Sequence, residues 1–303
     1  MTGRYATPQA FKAALEQRLR HRAAGDGLEL QRLRQLVVFD RFLARVFSMF
    51  EDAVVLKGGL VLELRLERAR TTKDVDLRLA GRPDEALQKL RTAGRIDLGD
   101  HLVYLIIPDH RHPELQAEGM VYEGLRFQVE GRLADKIYGR PFGVDVAFAE
   151  PMEGEPDQLE GGDWLAFAGV EATSIRAYPL ESHIAEKLHA YTMPRLRPNS
   201  RVKDLPDLAL LAMVRPIDAR VLRSALEKTW AHRGTHPVPR ELPDPPESWE
   251  RVYGELARAN RLPWASLPEV LKAARGFLNP VLAGDAGWWA PGQWRWEGAP
   301  RDR

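Results

Sequence analysis

Apolar residues recur at helical spacing through the N-terminal part of the chain. Phe11, Leu15 and Leu19 stand four apart, and Leu30, Leu33, Val37, Phe42 and Val46 continue a similar stripe. The pattern predicts helix from Pro8 to Met49, split in two by Gly25-Asp26-Gly27. Arg18, Arg20, Arg22, Arg32 and Arg34 fall on the other face. That face suits a solvated surface or a strip touching nucleic-acid phosphates.

Shorter patterns follow. Ala53 to Leu56 is an apolar run ended by Lys57-Gly58-Gly59, as in a strand entering a glycine turn. Leu60, Leu62, Leu64 and Leu66 then suit a helix. Val75 to Leu79 alternates as a strand does, Pro83 to Ala93 reads as helix, and His101 to Ile107 is a strand closed by Pro108. Leu125 to Glu130 and Val144 to Phe148 are two further strands. Residues 151–163 are rich in Gly, Pro, Asp and Glu and read as loop.

Beyond Pro179 the patterns turn helical: Leu180 to Tyr191, Asp204 to Val214, Ala219 to His232, Trp249 to Asn260 and Leu267 to Leu278. Pro237 to Pro246 holds five prolines and reads as an extended connector. Trp288, Trp289, Trp294 and Trp296 in the tail are expected to pack on the body, a base-stacking surface being the other reading. The fold class is therefore α+β: a mixed sheet with flanking helices, then an all-helical C-terminal domain. The junction lies near residues 151–178, dividing the chain into 1–165 and 166–303.

Composition narrows the chemistry. Hydrophobic residues make up 44% and charged residues 29%, an ordinary globular balance, and the net charge of +1 demands no polyanion. With no cysteine, disulfides, thiolate zinc sites and cysteine nucleophiles are excluded. No apolar run reaches membrane-spanning length, and residues 1–22 lack a signal-peptide core, so a cytoplasmic protein is expected.

Asp74 and Asp76 stand two apart where a strand begins, so both side chains are expected on one face. Paired carboxylates repel unless a cation separates them, which makes the pair a seat for a hard divalent ion. Upstream, the backbone amides of Gly58 and Gly59 could cradle phosphate at a helix N-terminus. A third acid would complete a two-metal phosphoryl-transfer site. Asp145, between Val144 and Val146, is one candidate, and Glu130 is the other. Thr72 could turn its hydroxyl toward a phosphate or simply open the strand. Lys57 could touch phosphate or be a loop cation. Gly234 and Pro237 break any helix joining His232 to His236, so that pair reads as structural. His183 and His189 lack partner spacing.

The glycine turn, the Asp-x-Asp strand and a later Asp together resemble DNA polymerase β-like nucleotidyltransferases. Lys57 through Leu77, with Lys57-Gly58-Gly59-Leu60 and the run Thr71-Thr72-Lys73-Asp74-Val75-Asp76-Leu77, is similar to the AbiEii/AbiGii toxin family. Glu186 to Ala190, Arg201 to Leu208 and Thr229 to Thr235 resemble further blocks of that family, the likeness spanning roughly residues 40 to 280. The usual Gly-Ser is replaced by Gly58-Gly59, with a longer gap to the acids.

The resemblance implies metal ligation by Asp74, Asp76 and Asp145, with two magnesium ions and an NTP as substrate. It implies a catalytic Lys187, with Arg201, Asp204 and Asp207 near the nucleotide and one of the two acids orienting Lys187 or Arg201. It further implies a toxin of a type IV toxin–antitoxin, phage-defence system, with a cognate antitoxin as partner. The implied reaction adds NMP to the 3′ end of tRNA and blocks translation. Modification of a protein or small-molecule hydroxyl, and a non-catalytic nucleotide sensor, are the competing expectations.

Overall fold

The computed structural model describes residues 5–26, 29–66, 72–111, 113–114, 124–148, 152, 154–195, 199, 201–284 and 287–298. Two helices open the chain, α1 (Pro8–Asp26) and α2 (Leu30–Phe50). Strand β1 (Val54–Lys57) leads into α3 (Gly58–Arg65), then β2 (Val75–Leu79), α4 (Pro83–Ala93), β3 (Leu102–Pro108), β4 (Gly124–Leu133), β5 (Lys136–Ile137) and β6 (Phe142–Phe148). Next come β7 (Asp157–Glu160) and β8 (Ser174–Ala177). The rest comprises α5 (Leu180–Thr192), α6 (Asp204–Leu211), β9 (Ile217–Asp218), α7 (Ala219–Arg233), α8 (Trp249–Asn260), α9 (Leu267–Ala283), β10 (Trp288–Ala290) and β11 (Arg295–Glu297).

The large sheet runs β3-β4-β6-β2-β1-β8-β7, with β5 paired to β4. It is mixed: β2–β6 and β1–β8 are parallel and the other pairs antiparallel. Alternation sets its faces. Val75, Leu77, Leu79, Val144 and Val146 are buried against the apolar stripes of α1 and α2, including Phe11, Leu15, Val37, Phe42 and Val46. Their neighbours Asp76, Arg78 and Asp145 emerge on the opposite face.

Charges inside α2 anchor it. Arg45 is fully buried and reaches both Asp100 carboxylate oxygens at 2.9 and 2.6 Å, while Arg41 Nε donates to Asp100 at 2.7 Å. Burial would raise the Asp100 pKa, but hydrogen bonds from Arg45, aided by Arg41, hold it below the ordinary value.

Residues 151–163 are not wholly loop. Asp157–Glu160 pairs with Ser174–Ala177, and β8 in turn joins β1. A division at 165/166 therefore cuts between two paired strands. The hydrophobic clusters part instead between Ala177 and Leu180, at the far end of the expected junction. The C-terminal part is helical, with a three-stranded β11-β10-β9 ribbon added. These strands escaped the sequence reading because each is two or three residues long, too short for a period.

Candidate active site

A single transverse row of charge crosses four strands. Lys57 on β1 pairs in register with Asp76 on β2, Asp76 with Asp145 on β6, and Asp145 with Arg126 on β4. Register partners share a face, and neighbouring strands stand about 4.8 Å apart, so the order cation–acid–acid–cation is built by strand pairing. Asp74 lies in the bend before β2, where its Oδ1 accepts from the Gly143 amide at 3.3 Å.

Two glycines leave room for these carboxylates. Gly58 has φ +72°, and a Cβ there would fall 1.9 Å from Asp76 Oδ2. At Gly143 a Cβ would fall 2.8 Å from Asp74 Oδ1. Gly58 also opens α3, whose N-cap Lys57 makes no side-chain cap bond, and the first amides of an uncapped helix are the groups a phosphate can accept from. Lys57 Nζ lies 5.6 Å from the centre of the Tyr178 ring.

Burial, and then the charges of Asp145 and Asp74, push the Asp76 carboxyl up to about 6 despite Lys57 and Lys187. Asp76 and Asp145 share one strand face with Asp74 in the bend beside them, and a hard divalent ion would relieve the repulsion among such acids. The set is not closed, however. Among the described residues no three acids or histidines stand as a ready metal cluster. Asp145 is taken up by Arg126, whose Nε and Nη2 each lie 2.6 Å from one of its oxygens. Asp145 is thus committed to a guanidinium, while Asp74 stays beside the Gly143 amide and Asp76 beside Gly58.

Lys187 projects from α5 between two buried acids of α6. Its Nζ lies 2.8 Å from Asp204 Oδ1 and 2.8 Å from Asp207 Oδ2. Both acids hold the lysine, where the sequence left one to be chosen. Its charge is among those that pull the Asp76 carboxyl down against burial. Arg201 stays at the rim, 3.9 Å from Asp204 and partly exposed.

Other expected residues fall elsewhere. Thr72 is buried, and its hydroxyl donates to the Asp74 carbonyl at 3.4 Å rather than facing a phosphate. Strand alternation does not extend back through the bend at Asp74. The Thr72 amide donates to Glu63, and its carbonyl accepts from Arg32. Thr71 lies outside the described residues. Glu130 sits four residues along β4 from Arg126, about 13 Å away at strand rise, and pairs with Arg132.

On the basic face of α1 and α2 most arginines have partners within the chain, Arg20 remaining exposed beside Glu16. Arg32 and Arg34 pair with Glu63 and Glu16, Arg22 with Asp163, and Arg18 lies over Phe167. His189 and His236, unlinked in sequence, sit 4.9 Å apart ring to ring, each bonded to a threonine hydroxyl. The indoles of Trp289, Trp294 and Trp296 donate to carbonyls of Ala212, Ala273 and Phe277, so these tail tryptophans pack on the body rather than offering a base-stacking platform.

Sequence reasoning missed Arg126. Its outward position was legible in the alternation of Leu125 to Glu130, but its partner follows only from the antiparallel register of β4 against β6.

The fold has a solved counterpart. The nucleotidyltransferase toxin MenT4 of Mycobacterium tuberculosis superposes with a TM-score of 0.51 at 19% identity, over 71% of this chain and 70% of that one. JHP933 from Helicobacter pylori matches at a TM-score of 0.49 and 18% identity, over 85% and 94% of the two chains. At these identities the likeness is one of fold. Among curated protein sequences none matches. The model of the nucleotidyl transferase AbiEii toxin family, of type IV toxin–antitoxin systems, matches residues 41–272, which include every member of the charged row and the Lys187 clamp. The chain therefore belongs to the AbiEii nucleotidyltransferase toxin family.

Proposed function

We propose that this nucleotidyltransferase moves a nucleoside monophosphate from an NTP to the 3′ end of tRNA. The observation that carries the transfer reading is the row Lys57–Asp76–Asp145–Arg126 beside Asp74. It puts acids for a metal next to cations for phosphate. The tRNA acceptor rests on the family resemblance.

In this reading Gly58 and Gly59 amides and Lys57 hold the triphosphate. Lys187, fixed in position by Asp204 and Asp207, adds charge opposite the phosphates. Asp74, Asp76 and Asp145 hold divalent metal, magnesium by the preference of hard oxygen donors. A bound divalent ion would neutralise phosphate charge and make the acceptor hydroxyl more acidic. The acceptor hydroxyl oxygen bonds to the α-phosphorus, the bond to the β-phosphate oxygen breaks, and pyrophosphate leaves. The hydroxyl proton passes to the carboxylate side of the row or to solvent.

A type IV setting supplies a cognate antitoxin, and among the described residues no helix is long and apolar enough to cross a membrane. Action on tRNA also places the protein in the cytoplasm. The test incubates protein, magnesium, each labelled NTP and total tRNA, with Asp76→Asn beside the parent. Label on tRNA with the parent and none with the variant is the expected result. Label on protein or a small molecule instead moves the acceptor assignment, and tight NTP binding without pyrophosphate release under any acceptor makes the protein a sensor.

A further inference from the structure

The site as described holds one contact that a metal-binding triad does not need. Both oxygens of Asp145 are taken by one guanidinium in a parallel, two-bond geometry, each bond 2.6 Å. Arg126 comes from β4, outside every segment that carries the other site residues. Its side chain is 37% exposed and that of Asp145 18%, so the pair sits at the open edge of the site, where an incoming anion can reach the arginine.

Charge in the row argues for exchange. With all groups ionised, Lys57 and Arg126 balance Asp76 and Asp145, and only Asp74 is left over. A divalent ion entering such a balanced set gains little unless a cation gives way. An NTP changes this, because its phosphates provide the guanidinium with another partner of the same bidentate geometry.

We propose that Arg126 is a positioning residue that makes metal loading depend on substrate phosphate. In the absence of nucleotide it holds Asp145 and keeps metal affinity low. When a triphosphate arrives, Arg126 transfers to phosphate oxygen and Asp145 turns to the metal side. The device keeps the site from assembling around metal alone. It rests on the metal-dependent transferase reading above, but its signature is in binding and not in turnover.

The experiment measures Mn2+ binding to the full chain by calorimetry or electron spin resonance. It uses wild type, Arg126→Gln and Arg126→Lys, each with and without an α,β-methylene NTP. In wild type the nucleotide should tighten Mn2+ by about tenfold or more. In Arg126→Gln, Mn2+ alone should bind about tenfold more tightly than in wild type, and the nucleotide should add little. Arg126→Lys, which keeps the charge without the fork, should fall between them.

If Arg126 only props Asp145 in place, both variants would bind Mn2+ alone no better than wild type, and the proposal is overturned. If Arg126→Gln fails to melt cooperatively, Arg126→Lys carries the test by the same comparison. Absence of nucleotide transfer in wild type would overturn the function proposed above while leaving these affinities readable.

Discussion

Gly58 is the residue on which the site depends most sterically. A methyl there would overlap Asp76, and φ +72° is strained for any L side chain. Gly58→Ala should lower nucleotide transfer by about a hundredfold or more through displacement of Asp76. The loss of folding stability should be only about 1–2 kcal/mol, read from a melt of the same sample. An unchanged transfer rate would show that Asp76 need not stand where it does. Asp40 offers a pH-dependent case away from the site. Burial pushes its carboxyl up to about 6, against the pull of Arg41 and Thr173. A raised acid pKa means the folded state resists ionisation, so Asp40 costs stability above pH 6, and the cost fades as pH falls toward the unfolded value. Asp40→Asn should therefore stabilise by about 1–3 kcal/mol at pH 8 and by about half that at pH 5, measured by urea unfolding at both.

At the scale of elements, α5 and α6 form one ionic joint. Lys187 separates two buried carboxylates, so Lys187→Met should abolish transfer and cost about 3–5 kcal/mol, because the acids are left unpaired. Adding Asp207→Asn should recover part of the stability and none of the activity. Recovery of both would make the lysine structural. The same helix carries His183, one turn from Lys187, and His189 on another face. Burial, then nearby cations led by Lys187, hold His183 far below the ordinary histidine value. Burial, then His236 and Arg233, push His189 down to about 4. Both stay neutral when folded and take up protons on unfolding. For His189 that contribution is complete above pH 6.5 and is lost as pH falls toward 4. Near pH 5 His189 should make stability fall by about 1 kcal/mol for each unit the pH drops. His189→Gln should remove that part of the slope in denaturant titrations, and an unaltered slope would place the acid lability elsewhere.

Across the whole molecule two apolar cores meet at the site. Leu62 of α3 belongs to the second core although its helix follows β1 of the first. Arg65 at the end of the same helix is buried, bonded to Asp157 and to the Tyr178 carbonyl at 2.7 Å. Arg215 binds Glu181 within the second part with two bonds of 2.9 Å and reaches across to Asp157 of β7 at 4.0 Å. With these ties the two parts should unfold in a single transition. Trp164 alone precedes Pro179 among the 8 tryptophans, so fluorescence reports mainly on the second part, while far-UV dichroism reports on both. Their midpoints should coincide in wild type and separate in Arg65→Met, which removes the buried tie. Coincident midpoints in the variant would mean the cores are coupled by packing alone.

Local chemistry determined much of this protein. The apolar stripes of α1 and α2, the alternation of β2 and β6, the turn at Gly58 and the helical C-terminal part follow from spacing that needs no distant partner. Asp74, Asp76, Lys187 and the Arg201–Asp207 segment were visible as types in a pattern. Only tertiary structure could decide which charges stand together. Strand register set Asp145, not Glu130, beside Asp76, and placed Arg126 against it. The packing of α5 on α6 gave Lys187 both acids, and the bend at Asp74 turned Thr72 inward. Arg32 and Arg34 of α2 proved to be part-buried ion pairs for the same reason: a sequence records where a charge lies on its own helix, and only the fold supplies its partner.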